Sequence, residues 1–223
     1  MSCVRVKALI LTFLLFLFPL RTQATLYCEA DIDKPCIALT FDDGPHYKYT
    51  AMILDILKKY NVKATFFTVG TNVERFPELI DRELAEGHEV ANHTYSHKHM
   101  AELDEKEFMN EVLMWEDSLY THCEYTDSLF RPPEGILTDR ECEAIKELGY
   151  DIILWSIDTR DWAHTPVSGI VENVMSHVNN GSIILFHDFV SGSDSPTPRA
   201  LEILLPKLIA EGYSFTTVSE LIG

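Results

Sequence analysis

The sequence predicts a single α/β domain, an irregular (β/α) barrel of about seven parallel strands. Three observations lead there. Short β-type runs alternate with segments of helical period, the pattern of strands joined by crossover helices in a largely parallel sheet. Ile152-Ile153-Leu154 and Ile183-Ile184-Leu185 are continuous apolar runs, as strands buried on both faces require. Reactive residue types stand at or just past the C-terminal ends of β-runs: Asp42 with Asp43, His93, Arg131, Asp158 with Asp161, and His187. An open doubly wound sheet gathers ligands at one crevice. Groups drawn from at least five strand ends fit a sheet curled into a barrel, whose active sites are built at that face.

The first residues are set apart from the rest. Arg5 and Lys7 precede an almost wholly apolar stretch, Ala8 to Leu20, and Thr22-Gln23-Ala24 offers small residues at the two positions a signal peptidase reads. The apolar run is short of the about 20 residues that a membrane span needs. Residues 1–24 therefore read as a cleaved signal peptide rather than an anchor. The protein is expected to be exported, secreted or held at the cell surface or in a periplasm, with no transmembrane segment left. Residues 25–35 form an N-terminal extension, and residues 36–222 the folded domain.

Within that domain the β-runs are Cys36–Phe41, Ala64–Val69, His88–Asn92, Leu129–Arg131, Asp151–Ser156, Ser182–Phe186 and Ser214–Thr217. Helical periodicity covers Thr50–Tyr60, Val73–Glu86, Asp104–Leu119, Asp139–Leu148, Pro166–Val178 and Thr197–Ala210. No repeat or linker divides the chain of 223 residues, which is long enough for one sizeable core.

Charge narrows the function. The formal net charge is −17, and losing Arg5, Lys7 and Arg21 with the leader takes it from −17 to −20. So acidic a chain does not bind nucleic acid by neutralising phosphates. Neutral or cationic ligands suit it better. Of five cysteines, Cys3 leaves with the leader. The even remainder in an exported protein points to disulfides, and the two local loops favour Cys28–Cys36 and Cys123–Cys142. No C-x-x-C pair supports a thiolate zinc site.

Five short motifs carry chemistry. Thr40-Phe41-Asp42-Asp43-Gly44-Pro45 sets two adjacent carboxylates, which repel unless a cation is near; alone it also reads as an acidic turn. His93-Thr94-Tyr95-Ser96-His97 places two imidazoles four apart, on one face if helical, and with one carboxylate these make a metal set with open positions. Phe130-Arg131-Pro132-Pro133-Glu134-Gly135 is a stiff turn holding one strong cation. Trp155-Ser156-Ile157-Asp158-Thr159-Arg160-Asp161-Trp162 mixes tryptophans and aspartates, as sugar sites and core plugs both do. Leu185-Phe186-His187-Asp188 ends an apolar strand on a histidine, which by itself is as often a satisfied core residue.

In this order, TFDDGP, HTYSH, RPPEG, WSIDTRDW and LFHD resemble the five motifs of the polysaccharide deacetylases, the NodB-homology or carbohydrate esterase 4 family. The likeness runs from Cys36 to Leu221 and includes GHEVANHT and EGYSFTTVSEL. It implies a distorted (β/α) barrel. It implies metal ligation by Asp43, His93 and His97, a general base at Asp42 paired with Arg131, and a general acid at His187 supported by Asp161. Trp155 and Leu185 match residues that wall the acetyl and sugar pocket, and Pro133 and Glu134 fall in the turn beside it. The implied cofactor is one divalent ion, zinc by default, with Co2+, Ni2+ or Mn2+ also suited to such ligands. The implied partner is an N-acetylglucosamine-containing polymer or oligomer (chitin-type, peptidoglycan or exopolysaccharide), acted on by a monomer. An O-acetyl xylan esterase uses the same machinery; an inactive sugar-binding module and a metal-free amidase are further alternatives. The chain departs from the family at Glu134, where an aromatic residue is usual, and at Lys98, where proline is common.

Overall fold

The computed structural model describes residues 25–99, 102–189 and 194–223. The expected signal peptide lies outside them. Nine strands make one sheet: β1 (Leu26–Tyr27), β2 (Cys36–Asp42), β3 (Thr65–Thr68), β4 (Glu89–Asn92), β5 (Leu129–Phe130), β6 (Asp151–Ile153), β7 (Ile157–Asp158), β8 (Ile183–His187) and β9 (Ser214–Thr216). Among the described residues, eight α-helices surround it: α1 (Tyr49–Tyr60), α2 (Gly70–Arg75), α3 (Pro77–Ala85), α4 (Glu105–Cys123), α5 (Asp139–Glu147), α6 (Val167–His177), α7 (Thr197–Ala210) and α8 (Val218–Ile222). The strand order is β1-β6-β5-β4-β3-β2-β8-β7, with β9 also on β2. Every pairing between these strands is parallel. The sheet curls into a distorted (β/α) barrel.

All seven expected β-runs are strands. The two additions, β1 and β7, have two residues each, too few for a periodic signal. The helix expected over Val73–Glu86 is two helices. Pro77 lacks the amide hydrogen that would continue α2, and instead starts α3.

β2 is the hub. β8 pairs with it from Ala38 to Asp42, while the other edge is shared by β9 at Cys36–Ala38 and β3 at Thr40–Asp42. Alternation along β2 sorts its side chains. Ile37, Leu39 and Phe41 face outward and pack with Ile53 and Leu57 of α1 and Leu201 and Leu204 of α7. Phe41 stacks on Phe66 and Phe186, with centroids 5.0 and 5.7 Å away. Each such side chain gains roughly 1.5–3 kcal/mol by leaving water. Ala38, Phe67, Ala91, Leu129, Ile153 and Ile183 face inward and meet Val218 and Leu221 of α8. The Val218 amide donates to Thr65 Oγ1 and Glu89 Oε2 at the starts of β3 and β4, so α8 closes the N-terminal end of the barrel.

The disulfide expectation is corrected: Cys28, Cys36, Cys123 and Cys142 are all free thiols. Cys123 closes α4, where its thiol donates to Leu119 O and packs beside Trp115. Cys142 belongs to a different apolar cluster, around Phe108, Phe130 and Tyr150. Cys36 packs on the inner face of the sheet, whereas Cys28 is exposed.

Candidate active site

The inward alternation of the strands continues past their C-terminal ends, and this assembles the site. Ala38 and Thr40 lead to Asp42, Ala91 to His93, Leu129 to Arg131, Ile153 to Trp155, and Ile183 and Leu185 to His187. Register sets the levels: Asp42 pairs with His187 on one side and with Phe67 on the other.

Arg131 has no solvent exposure. Its Nη1 donates to Asp42 Oδ1 at 2.7 Å and to Thr40 Oγ1 at 2.8 Å. Nε and Nη2 donate to the carbonyls of Ile153 and Leu154, at 3.1 and 3.0 Å. The guanidinium also lies 4.0 Å from the Phe67 ring centre and 5.6 Å from that of Trp155. Burial pulls its pKa down from an ordinary value so high that it stays charged, and Asp42 opposes the drop. Asp42 is therefore buried with a fixed cation on one oxygen. Its other oxygen lies 3.8 Å from His93 Nε2.

Asp43, His93 and His97 converge, but His93 and His97 do not lie on a helix as one face of four-residue spacing would require. His93 follows β4, and the chain then turns through left-handed residues, Thr94 at φ 67° and His97 at φ 51°. Asn92 and Glu111 hold this turn: the Thr94 amide donates to Asn92 Oδ1 and the Ser96 amide to Glu111 Oε2. The two imidazole centroids end 5.0 Å apart. Asp43, itself at φ 75°, brings Oδ1 to 3.4 Å from His93 Nε2 and 3.1 Å from His97 Nε2. Burial alone would raise the Asp43 pKa; the neighbouring imidazoles outweigh it and hold the group well below the usual carboxylate range.

These three residues fit a divalent cation. Asp43 Oδ1 is buried without a hydrogen-bond partner. All three candidate ligand atoms lie within 4.8 Å of one another. His93 Nδ1 sits 2.7 Å from the Arg131 carbonyl, which can only accept, so the proton is on Nδ1 and the Nε2 lone pair faces Asp43.

His187 stands on the other side of Asp42. Its Nδ1 donates to Asp161 Oδ1 at 2.7 Å. Asp161 is fully buried and also accepts from the amides of His187 and Trp162 and from the Thr197 hydroxyl. Burial pushes the His187 pKa down, but the Asp161 carboxylate, with Asp43 and Asp42 behind it, raises it to about 9. Leu185 lies one inward position below His187 and is buried. At the rim, Pro133 is buried while Glu134 is exposed at φ 59°, its carboxylate 3.3 Å from His99 Nε2. Gly135 must lack a side chain, because a Cβ there would meet the Trp155 ring at 2.6 Å.

Sequence reasoning gave no role to Asp188, although its motif was in view. The Asp188 amide donates to Asp42 O at 3.2 Å, and its carboxyl accepts from the Thr50 hydroxyl beneath the Asp42–Pro45 turn. Burial, then the charges of Asp43 and Asp42, push its pKa up to about 7 despite the Thr50 bond. The signal that could have found it is Gly44, where a Cβ would land 2.0 Å from Asp188 Oδ2. Gly44→Ala is expected to cost roughly 1–3 kcal/mol in denaturant unfolding. Paired with Asp188→Ala it should cost less than the sum of the two changes, since the clash is gone; additive losses would show that no clash exists.

Comparison with known proteins agrees with this geometry. A family profile described as polysaccharide deacetylase matches residues 29–153. A peptidoglycan-N-acetylglucosamine deacetylase of Bacillus cereus is 41% identical over 197 residues, covering 87% of this chain and 91% of the relative. A chitooligosaccharide deacetylase of Bradyrhizobium is 37% identical, covering 83% and 90%. The crystal structure of the Bc1960 peptidoglycan N-acetylglucosamine deacetylase superposes with a TM-score of 0.86 at 36% identity, covering 89% of this chain and 93% of that one. The chain belongs to the polysaccharide deacetylase family.

Proposed function

We propose that this deacetylase is an exported, metal-dependent enzyme that removes N-acetyl groups from an N-acetylglucosamine-containing glycan. The observation that carries the reading is the pairing of two opposed devices around one cation site. Asp42 is gripped and aimed by Arg131, and His187 is held as an acid by Asp161. Amide hydrolysis needs both, because water is a weak nucleophile and an amine leaves only when protonated.

Asp43, His93 and His97 would hold the ion. When bound, it supplies Lewis acidity toward the acetyl carbonyl and the attacking water. Asp42 takes the proton of that water, and Arg131 keeps Asp42 aimed. The Glu134 N–H, which has no backbone partner among the described residues while Gly135 and Ile136 are engaged, is available to the oxyanion. His187, with Nδ1 committed to Asp161, presents Nε2 to the leaving nitrogen. Trp155, Leu185 and Pro133 exclude water from the acetyl pocket. The exposed Glu134 carboxylate brings negative charge to the mouth, which favours glycans already carrying free amines.

The test is acetate release from chitooligomers, peptidoglycan and acetylxylan, with and without chelator and metal add-back. Zinc is the expected ion, and cobalt, nickel and manganese belong in the add-back series. Glucosamine-containing substrates should respond; release from acetylxylan alone would move the protein to the O-acetyl esterases. Asp43→Ala should lose metal affinity by calorimetry. Asp42→Asn should keep the metal and lose about 10²–10⁴-fold in kcat. Equal loss of metal in both would exchange their roles.

The acid assignment has its own check. The raised pKa means His187 is protonated at neutral pH and gives up its proton as pH rises through about 9. The stability it contributes is full below 6.5 and lost over the same rise. In metal-free protein, NMR titration should show Asp161→Asn lowering the His187 pKa, because burial then acts unopposed by its partner. An unchanged value would remove Asp161 from this role.

A further inference from the structure

The two departures from the family pattern, Lys98 and Glu134, both make contacts with one short segment, residues 96–99. The first contact begins on α4. Phe108, Val112, Trp115 and Leu119 recur at helical spacing and form the buried face of that helix. Glu111 stands in the same face and is 5% exposed. An acid seldom occupies such a place unless it is paired. Its Oε2 accepts from the Ser96 amide at 2.7 Å, and the Ser96 hydroxyl lies 2.8 and 2.9 Å from its two oxygens. Lys98 Nζ closes on Oε1 at 3.0 Å. Burial alone would raise the Glu111 pKa; Ser96 and Lys98 outweigh it and hold the group below the ordinary glutamate value.

The helix that carries Glu111 is itself fastened to the strand ends beneath the site. Trp115 Nε1 donates to Thr68 Oγ1 at 3.1 Å, and Asn92 Nδ2 donates to Val112 O at 3.2 Å. Glu111 is thus a fixed post, and what it holds is the chain on both sides of His97.

That residue is the less sheltered of the two imidazoles. The His93 side chain is 2% exposed and that of His97 34%. His93 has its Nδ1 contact with the Arg131 carbonyl. His97 goes where its backbone carries it, at φ 51° with its amide on Thr94 Oγ1 at 3.1 Å. A proline after it would fix the next φ through its ring. Lysine leaves that angle free, and the pair with Glu111 supplies the restraint instead.

The segment has a second tie at its other end. His99 Nε2 lies 3.3 Å from Glu134 Oε2. Glu134 stands at φ 59° and bears the N–H available to the oxyanion. One short run of chain therefore touches the turn of the cation site and the turn of the oxyanion donor.

We propose that residues 96–99 act as a strap between these two turns. Glu111 and Lys98 are positioning residues that set His97 against Asp43, and His99 is a positioning residue that steadies the turn of Glu134. The proposal rests on reading Asp43, His93 and His97 as the cation site. It adds that the spacing of cation and oxyanion donor is fixed from outside the five motifs, by α4.

The test measures zinc binding to metal-free protein by calorimetry, thermal unfolding of the same samples, and kcat and KM for an N-acetylglucosamine tetramer at saturating zinc. Glu111→Gln should raise the zinc Kd about tenfold or more, as loss of a residue that orients a ligand does. Lys98→Met should raise it about fivefold, since its cation is half in water. Lys98→Arg should stay within about twofold of wild type. Glu111→Gln with Lys98→Met should be little worse than Glu111→Gln alone, because the two share one interaction. His99→Ala should leave the zinc Kd within about twofold and lower kcat about fivefold with KM unchanged, the sign of a contact felt in the transition state. A lower unfolding temperature with zinc Kd unchanged in Glu111→Gln and Lys98→Met would reduce the pair to a structural role and overturn the strap. Additive losses in the double variant would overturn the pairing, and an unchanged kcat in His99→Ala would overturn the second tie. If the wild type bound no zinc, the cation reading would fall. Amide exchange at Ser96 and His97 in metal-free protein would then decide the strap: faster in Lys98→Met supports it, and unchanged overturns it.

Discussion

A guanidinium with no access to water holds this site together. Arg131 is tied to β2 through Thr40 and Asp42, to the end of β6 through two carbonyls, and to β3 through the face of Phe67. Its own carbonyl accepts from His93 and so sets which imidazole nitrogen faces Asp43. A buried charge tolerates such a position only when its donors are matched, and removing one partner of a buried pair costs about 3–5 kcal/mol. Asp42, the His93 imidazole and the floor beneath both therefore share a single anchor. Its strength lies in specificity of position more than in net stability.

Four aspartates within a short compass end in four different conditions, and their partners decide which. Asp42 has a fixed cation. Asp43 faces two imidazoles with an oxygen that no hydrogen bond satisfies. Asp161 has four donors and no exposure, which suits it to hold an imidazolium. Asp188 has one hydroxyl, a dry setting and like charges nearby, so its carboxyl is driven toward neutrality. Separating acids by environment lets one small cavity keep four carboxyl groups in different states.

Much of this was legible in the sequence. Most of the seven β-runs were readable because they bury apolar side chains with few interruptions, and the reactive residues fell at their ends, where alternation projects them inward. Other parts were not. Two-residue strands such as Leu26–Tyr27 carry no period. The His93–His97 turn depends on left-handed backbone at Thr94 and His97, stabilised by Asn92 and Glu111 from outside the motif, so spacing alone pointed to a helix. Asp188 was silent because its partner Thr50 lies far away in sequence and its room comes from the missing side chain of Gly44. The cysteine count misled because an even number says nothing about which apolar cluster each thiol joins.

The hub position of β2 has a consequence for how the molecule comes into being. Ala38 pairs with a residue 145 positions later, Ile183, and Cys36 with one 178 positions later, Ser214. A growing chain thus presents the strand that bears Asp42 long before either of those neighbours exists, leaving one whole edge unpaired. Contacts so distant in sequence are closed late and slowly. The aspartates come to rest only when the final strands dock, so assembly of the reaction centre coincides with the end of folding. A chain that stopped short of β8 would keep its aromatic core beneath an open sheet edge, a surface more apt to associate with its own kind than to remain a harmless fragment.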